Sequence, residues 1–468
     1  MCYKPVAFCV LSRAHPHTPK HTSTHLNTKM DVEATAERIV PTANFIKVAH
    51  PHMPTVEKVM QIDGSVDHTH TFEVSHEPND LTSKAPLEFI IHQTPNYYVD
   101  LQSFYIDVKL RMTKADGSRG NVDDWATYFV NNLSQSLWSV VKVYLNDVCI
   151  QSNYNNQQES NLTHILTTPN TVTEERGLVQ GAFPITPDTH NGVVDAGRAA
   201  VGSVVQRIAW SKTDEVHVRG PLHLDLDTCQ KFLVDGVRMK IVLEPSSIPF
   251  LIKASAPAGQ TYEYQLKSVK LLCTKIKPTA TALLATSKSI MSRPIEYLMR
   301  RNIFHKEVIP VGYRDYTATR PFQDLIPNKL YIYMVDREAA MGHLERDPYY
   351  YTHFKLNHYS VKINGIQVAG GPVDNECLIK EYVESTRGHG GDYFIPYANY
   401  TKGCFVLCVN TNDQSQYNDI NIEKKGNLTV TLQFAQALPR TILLHVSGTV
   451  DTPFEIDMDR NVSTSFQH

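Results

Sequence analysis

The chain has no Cys-x-x-Cys, no Gly-x-Gly-x-x-Gly, no Walker-type phosphate loop, no His-Glu-x-x-His and no Gly-x-Ser-x-Gly. Those absences remove the common dinucleotide, phosphate-loop, zinc-protease and serine-hydrolase signatures. No apolar run approaches the roughly 18–20 residues that a membrane helix requires. The run Val6-Ala7-Phe8-Cys9-Val10-Leu11 falls short of the usual signal-peptide core of about 7–15 residues, and no small-residue cleavage site follows it. The chain is therefore expected to be soluble and not secreted. Its sequons at Asn132, Asn161, Asn399, Asn427 and Asn461 are then expected to stay unused. Charge of one sign is not in excess: 45 Lys and Arg face 48 Asp and Glu, a formal net charge of -3. That balance argues against nucleic-acid binding driven by the field of the whole chain.

The 468 residues suffice for two large β domains. Hydrophobic residues make up 42% and charged residues 20%, which are globular proportions. Proline (26) outnumbers glycine (22) and tyrosine (23) outnumbers phenylalanine (17), with few long Ala/Leu/Glu/Lys runs; the balance favours strands and turns over helices. The eight cysteines are Cys2, Cys9, Cys149, Cys229, Cys273, Cys377, Cys404 and Cys408. Those after residue 100 are scattered too widely for a stapled mini-fold. On one strand face Cys404 and Cys408 would lie about 13 Å apart, too far to bridge. Buried reduced thiols are expected.

Residues 1–50 form a His- and Pro-rich stretch without periodicity, expected to be a disordered arm, and Met30 is an alternative start. Strands follow. Residues 87–91 read as one, 98–112 as a long alternating one, and 138–150 as a hairpin turning at Asn146-Asp147. Residues 155–167 are polar with weak helical spacing. Residues 168–203, rich in Pro and Gly, read as a long loop. Further strands are expected at 204–209, 215–226, 232–243 and 264–276. Residues 278–291 read as a short helical connector before Arg293-Pro294. The second half repeats the pattern of the first, with strands at 330–335, 404–409, 428–434 and 441–450, a hairpin over 357–368 turning at Asn364-Gly365, and a loop at 369–395. The strand at 103–112, the first hairpin and the strands at 237–243 and 264–276 match 330–335, the second hairpin, 428–434 and 441–450. This internal similarity suggests two sandwiches in tandem. The fold expected is all-β: two tandem jelly-roll β-sandwiches, a double jelly roll with a short helical connector and long loops. The division is 1–50 arm, 51–277 first jelly roll, 278–292 connector, 293–458 second jelly roll and 459–468 C-terminal tail.

The chemical inventory is thin. His68 and His70 would share a strand face and could hold a metal, but no Glu and later His complete the set, so surface histidines are the better reading. Asp225 and Asp227 would share a strand face; a solvent-facing or strand-capping role is favoured over acid–base work. Asp123-Asp124 and Asp457/Asp459 are unremarkable. Arg300-Arg301 lacks aromatic interleaving and reads as solvated surface or a subunit contact. Gly388-His389-Gly390-Gly391 reads as a mobile loop. No catalytic, cofactor-binding or metal residue is assigned and no cofactor is expected. The residues singled out are the hairpin turns Asn146, Asp147, Asn364 and Gly365.

One resemblance is specific in its order and spacing. It is carried by Val216-His217-Val218-Arg219-Gly220-Pro221-Leu222-His223-Leu224-Asp225-Leu226 and by 232–241. It continues through Val130-Asn131-Asn132-Leu133, Leu137-Trp138 and Tyr144-Leu145-Asn146, where Asp147 replaces a usual Gly. Further on it includes 325–329, Val335-Asp336, Ala340-Met341-Gly342, Asp347-Pro348-Tyr349, 434–439, Glu455-Ile456-Asp457 and Arg460-Asn461-Val462. From about residue 60 to its end the chain resembles double jelly-roll major capsid proteins of Polinton (Maverick) elements and adintoviruses, and related animal proteins. The resemblance implies a non-enzymatic, hexon-like capsid subunit encoded by an endogenous viral element. Three chains would form a pseudo-hexagonal homotrimer, and the trimers a capsid lattice with a minor (penton) capsid protein as a further partner. No sequence-specific nucleic acid and no membrane span are implied. The location would be the virion capsid, or intracellular and soluble if no virus is made. The alternative is a captured host β-sandwich module binding glycan or protein.

Overall fold

The computed structural model describes residues 66–77, 81, 84–114, 127–185, 203–211, 213, 215–254, 262–374, 377–390, 393–411 and 424–465, the side chains of 203–205 excepted. The expected arm, the Met30 start, Cys2, Cys9 and Asp123-Asp124 lie outside the described residues.

Two sets of eight strands carry the architecture. The first set is β1 (Val66–Glu77), β2 (Leu87–Ile91), β3 (Tyr105–Lys114), β4 (Trp138–Leu145), β5 (Val148–Asn153), β6 (Val216–Pro221), β7 (Met239–Pro245) and β8 (Tyr262–Pro278). They pair antiparallel in the orders β1-β8-β3-β6 and β2-β7-β4-β5. β1 bends between the two: its first part pairs with β8, and His76 and Glu77 pair with β2. The second set is β9 (Ile295–Ile309), β10 (Asp315–Thr319), β11 (Lys329–Asp336), β12 (Leu356–Ile363), β13 (Ile366–Pro372), β14 (Val406–Asn410), β15 (Leu428–Phe434) and β16 (Ile442–Ile456). Its orders are β9-β16-β11-β14 and β10-β15-β12-β13. Each strand of the second set thus occupies the place of the strand eight earlier. Within each set the first strand pairs with the last, the second with the seventh, the third with the sixth and the fourth with the fifth. That is a long antiparallel ribbon rolled over itself. The similarity between the halves seen in the sequence falls on equivalent strands.

Alternation explains the outer strands. In β3, Ile106, Val108 and Leu110 are buried and Tyr105 and Lys109 exposed; in β15, Leu428, Val430, Leu432 and Phe434 are buried. β11 does not alternate. Leu330, Tyr331, Ile332, Tyr333, Met334 and Val335 are all buried, as are Ile442 to Gly448 in β16. A strand buried on both faces loses its two-residue period.

Several expected boundaries change. The strand expected at 98–112 breaks, because Asp100 makes a turn: its carbonyl accepts from the Ser103 amide and hydroxyl, and its Oδ1 from the Gln102 amide. The polar stretch at 155–167 is helix α1 (Asn156–Thr167). The loop expected at 168–203 contains α2 (Asn170–Gln180), closed by Gly181 at φ 69, where a left-handed cap is required. The strand expected at 204–209 is α3 (Ser203–Ser211); a short apolar run does not separate strand from helix. The connector is α4 (Ala280–Ser292). The loop expected at 369–395 contains α5 (Ile379–His389). Gly388 and His389 therefore end a helix instead of forming a loop with Gly390. Gly388 sits so close to the Cys408 carbonyl that a Cβ there would lie 2.1 Å from its oxygen.

Candidate functional site: the seam between the rolls

Buried polar chemistry concentrates where the two strand sets meet. Helix α1 supplies one side. Asn161 Nδ2 donates to Tyr351 Oη at 3.0 Å, and Tyr351 Oη donates to Gln158 Oε1 at 3.1 Å. Gln158 Nε2 donates to the Pro348 carbonyl at 3.1 Å. Ser136 Oγ and Tyr349 Oη lie 2.6 Å apart. All these side chains are buried. Buried polar groups cost little only when partnered with good geometry, so each pair fixes the relative position of its two elements.

A second patch holds β9. The short turn Asp225–Thr228 presents Asp225 Oδ1 to the amide and the side-chain Nδ2 of Asn302, at 3.3 and 2.8 Å. Thr228 Oγ1 accepts from the Arg300 amide at 2.8 Å. Tyr297 Oη donates to the Phe232 carbonyl at 3.0 Å and accepts from the Val234 amide at 3.2 Å. The C-terminal segment closes the same side: Arg460 Nη2 pairs with Asp235 Oδ1 at 3.1 Å, and Asn146 Nδ2 donates to the Arg460 carbonyl at 2.7 Å. Elsewhere on the seam Lys253 Nζ donates to the His343 carbonyl at 2.9 Å, and burial pulls its ammonium down to about 8.

The seam also buries ionisable groups. Burial pushes the Glu159 carboxyl up to about 8, with Asp225 adding to the rise, and pushes Asp225 up to about 7. Glu159 Oε2 accepts from Asn153 Nδ2 at 2.6 Å; its Oε1 has no partner. Gln151 Oε1 accepts from the Asp225 amide at 2.9 Å. His445 stacks on Tyr333 with ring centroids 4.9 Å apart, and burial holds its imidazole down at about 3.

The turn residues Asn146, Asp147, Asn364 and Gly365 all have positive φ, at 45°, 68°, 50° and 83°. Asn146 and Asn364 sit between equivalent strand pairs. His68 and His70 are exposed on β1 with ring centroids 4.9 Å apart, and among the described residues no group of three His, Cys, Asp or Glu gathers to hold a metal. Asp225 and Asp227 are not on a strand, and the surrounding protein pushes both carboxyls up to about 7. They lie in a 3-10 turn, Asp225 buried and bonded across the seam, Asp227 exposed. Arg300, part-exposed, pairs with Asp451 at 3.0 Å, and Arg301 is buried, so solvated surface describes at most the first of the two. Asp457 accepts from the Asn461 amide and side chain at 2.8 and 2.9 Å, a local turn. Cys229, Cys273, Cys404 and Cys408 are buried thiols and Cys149 and Cys377 half-buried ones, and none of the six is in a disulfide. Among the described residues no helix is long and apolar enough to cross a membrane.

Reading the residues one at a time misses Gln158, Glu159 and Asn161, because polar side chains in a weakly periodic helix look like surface. The signal lies in the resemblance, several of whose motifs meet here: Tyr144-Leu145-Asn146, 232–236, Asp347-Pro348-Tyr349 and Arg460 line or brace the seam.

No protein-family model matches the chain. It is similar to the uncharacterised Caenorhabditis elegans protein F54H12.2, 20% identical over 403 residues, which cover 82% of this chain and 94% of that protein. Among solved structures it is similar to a chain of the Sputnik virophage, with a TM-score of 0.59 at 11% identity, over 86% of this chain and 90% of that one. The Faustovirus major capsid protein matches with a TM-score of 0.53 at 10% identity, over 82% and 90%. The mavirus major capsid protein matches with a TM-score of 0.51 at 12% identity, over 95% and 97%. The fold is all-β, two jelly rolls in tandem. It is a double jelly roll, the fold of these viral major capsid proteins.

Proposed function

We propose that the chain is a structural protein, the major capsid subunit of an icosahedral virus-like shell. The observation that carries this reading is the repetition of one strand order twice in one chain, across a seam closed by buried hydrogen bonds. Two like rolls held rigidly side by side present two like outer surfaces. Three such chains present six, and an object with six similar faces tiles a hexagonal lattice through repeated contacts. The chain therefore forms homotrimeric, pseudo-hexagonal capsomers, with a minor capsid protein at the fivefold positions. The rolls are assigned to 51–277 and 293–458, joined by 278–292, with 459–468 as a tail tied back to the first roll. The order of motifs from residue 60 onward supports an origin in a Polinton-like or adintovirus-like element resident in a host genome. The role is non-catalytic and needs no cofactor, and the site of action is the capsid. The turn residues Asn146, Asp147, Asn364 and Gly365 serve the fold of each roll.

The test is the solution mass of the purified full chain by light scattering. A mass of three chains supports the capsomer; a single-chain mass at every concentration reached contradicts it. A second reading has one observation in its favour: the nematode relative is matched over 94% of its own length. On that reading the chain is a binding module, for glycan or protein, retained by an animal host. A gene standing alone among host genes favours it, and a gene beside a packaging ATPase, a protease and a DNA polymerase favours the capsid.

A further inference from the structure

The equivalent hairpins of the two rolls are not equally covered. In the first roll, residues 457–464 fold over the turn between β4 and β5. This segment follows the eighth strand of the second roll, β16, and its Val462–Thr464 pair back on Phe454–Ile456. The Arg460 carbonyl accepts from Asn146 Nδ2 at 2.7 Å, and Arg460 Nη2 pairs with Asp235 Oδ1 at 3.1 Å. In that hairpin Leu145 and Ile150 are buried and Val148 is half-buried. In the second roll Ile363, Ile366 and Val368 hold the same places around the Asn364-Gly365 turn. Ile363 is only half-buried, Val368 is exposed and Ile366 is 72% exposed. Apolar side chains bared together at the end of a strand mark a surface that a partner covers. The counterpart of the covering segment is α4, because α4 follows the eighth strand of the first roll, β8. One stripe of α4 carries Leu284 and Met291, both exposed, Met291 at 71%.

The far side of the seam follows the same rule. The connection between the fifth and sixth strands of the first roll meets the like connection of the second. The Phe394 amide donates to the Leu166 carbonyl at 3.0 Å, and Asn399 Nδ2 donates to the Ile185 carbonyl at 2.7 Å. In the second roll this connection carries α5, where Ile379 and Val383 are exposed beside Lys380 and Arg387. In the first roll it carries α2, where Leu178 and Val179 are exposed beside Glu174 and Glu175. One helix offers two bases around an apolar pair and the other two acids around an apolar pair, which are complementary faces. Lys380 also lies 3.8 Å from Glu384 of its own helix, a solvent-exposed pair of little worth.

We propose that the second roll of one copy docks on the first roll of the next, with the Ile366–Val368 hairpin on α4 and α5 on α2. The seam inside the chain is thereby repeated between chains. The step that carries the first roll to the second, taken once more, sets another first roll beside the second and brings its α4 to the bare hairpin. Such a contact is head-to-tail: two different surfaces meet, and neither meets itself. It rests on the capsomer reading, in which the ring closes after three chains, and it names the surfaces that close it.

Cross-linking of the full chain tests the contact. Ile366→Cys and Met291→Cys in one chain, treated with a short bis-maleimide, should give covalent species of two and three chains. The wild type and each single variant set the background that the pair should exceed. Light scattering reads the helices. Glu174→Lys with Glu175→Lys should take the mass from three chains to one, as should Lys380→Glu with Arg387→Glu, and all four together should restore three. A wild type of single-chain mass at every concentration overturns the capsomer reading and this contact together. A wild type of three chains with the cysteine pair at background overturns the contact alone and leaves the capsomer standing. A three-chain mass that survives either charge reversal overturns the pairing of α5 with α2. If a charge-reversed chain does not fold, the cysteine pair, placed at two exposed positions, decides.

Discussion

Asn146 and Asn364 make the same pair of hydrogen bonds in the two rolls. The Asn146 amide donates to the Arg238 carbonyl at 2.9 Å, and Asn146 Oδ1 accepts from the Arg238 amide at 2.8 Å. The Asn364 amide donates to the Asn427 carbonyl, and Asn364 Oδ1 accepts from the Asn427 amide, both at 2.8 Å. Arg238 and Asn427 each stand one residue before the equivalent strands β7 and β15. An Asn at positive φ thus ties the fourth-to-fifth hairpin of each roll to the seventh strand. The side chain completes a backbone ladder that the turn would otherwise end.

Replacing either Asn with Ala removes that side-chain bond, and at Asn146 also the bond to the Arg460 carbonyl, and leaves a residue at positive φ with no local hydrogen bond to offset the strain. Each substitution should lower stability by about 1–2 kcal/mol. Because the sites lie in different rolls, the double variant should lose close to the sum. Denaturant unfolding of the two single variants and the double variant checks both statements.

Tyr351→Phe removes the hydroxyl that joins Asn161 and Gln158 on the seam and takes one bond from each of these buried groups. A loss of about 1–3 kcal/mol is expected. The seventh-strand bonds made by Asn146 and Asn364 should be unaffected, so exchange at Arg238 and Asn427 should stay protected while the seam weakens.

His445 fixes the sign of one acid response. Its folded-state value of about 3 lies below the usual value of about 6.5. The unfolded chain therefore binds the proton first, and the contribution of neutral His445 is present above pH 6.5 and lost as pH falls toward 3. Glu159 and Asp225 act oppositely: their folded values of about 8 and 7 lie above the usual carboxyl range, so their contribution is full below about pH 4 and is lost as pH rises through 7 and 8. His445→Phe keeps the stack on Tyr333 and discards two unpartnered nitrogens. Its melting temperature should exceed that of the wild type by more at about pH 4.5 than at about pH 8. Thermal melts at the two pH values check this, and an equal shift at both would count against it.

Gly388→Ala places a methyl group against the Cys408 carbonyl, which belongs to the buried end strand β14. Neither partner is the end of a flexible side chain, so α5 must leave β14. The expected loss is above about 3 kcal/mol, read as a large fall in the denaturant midpoint.

Much of the fold is legible because its outer strands alternate. The strand at Tyr105–Lys114, both hairpins, the connector and the last strand of each roll follow their periodicity or turn residues closely. Legibility fails where a segment answers to two surfaces. Residues 170–180 look like loop because Gly177 and Gly181 stand in or beside them, yet Gly177 is there to let α2 approach Ala182. Residues 203–211 are apolar enough for a strand and too short for their period to decide. The seam is hidden for the opposite reason: Glu159, Asn161 and Asp225 carry side chains that composition assigns to the surface, and only tertiary packing shows that they are buried.

If the two rolls form one rigid unit that builds a shell, the full chain should assemble without help. Cryo-electron microscopy of the chain, expressed alone and at high concentration, puts this to the test. Capsomers of pseudo-sixfold outline built from three chains are expected, alone or joined in curved sheets and closed particles. Monomers at every concentration, with the chain recovered on a glycan or protein partner instead, would contradict the capsid reading.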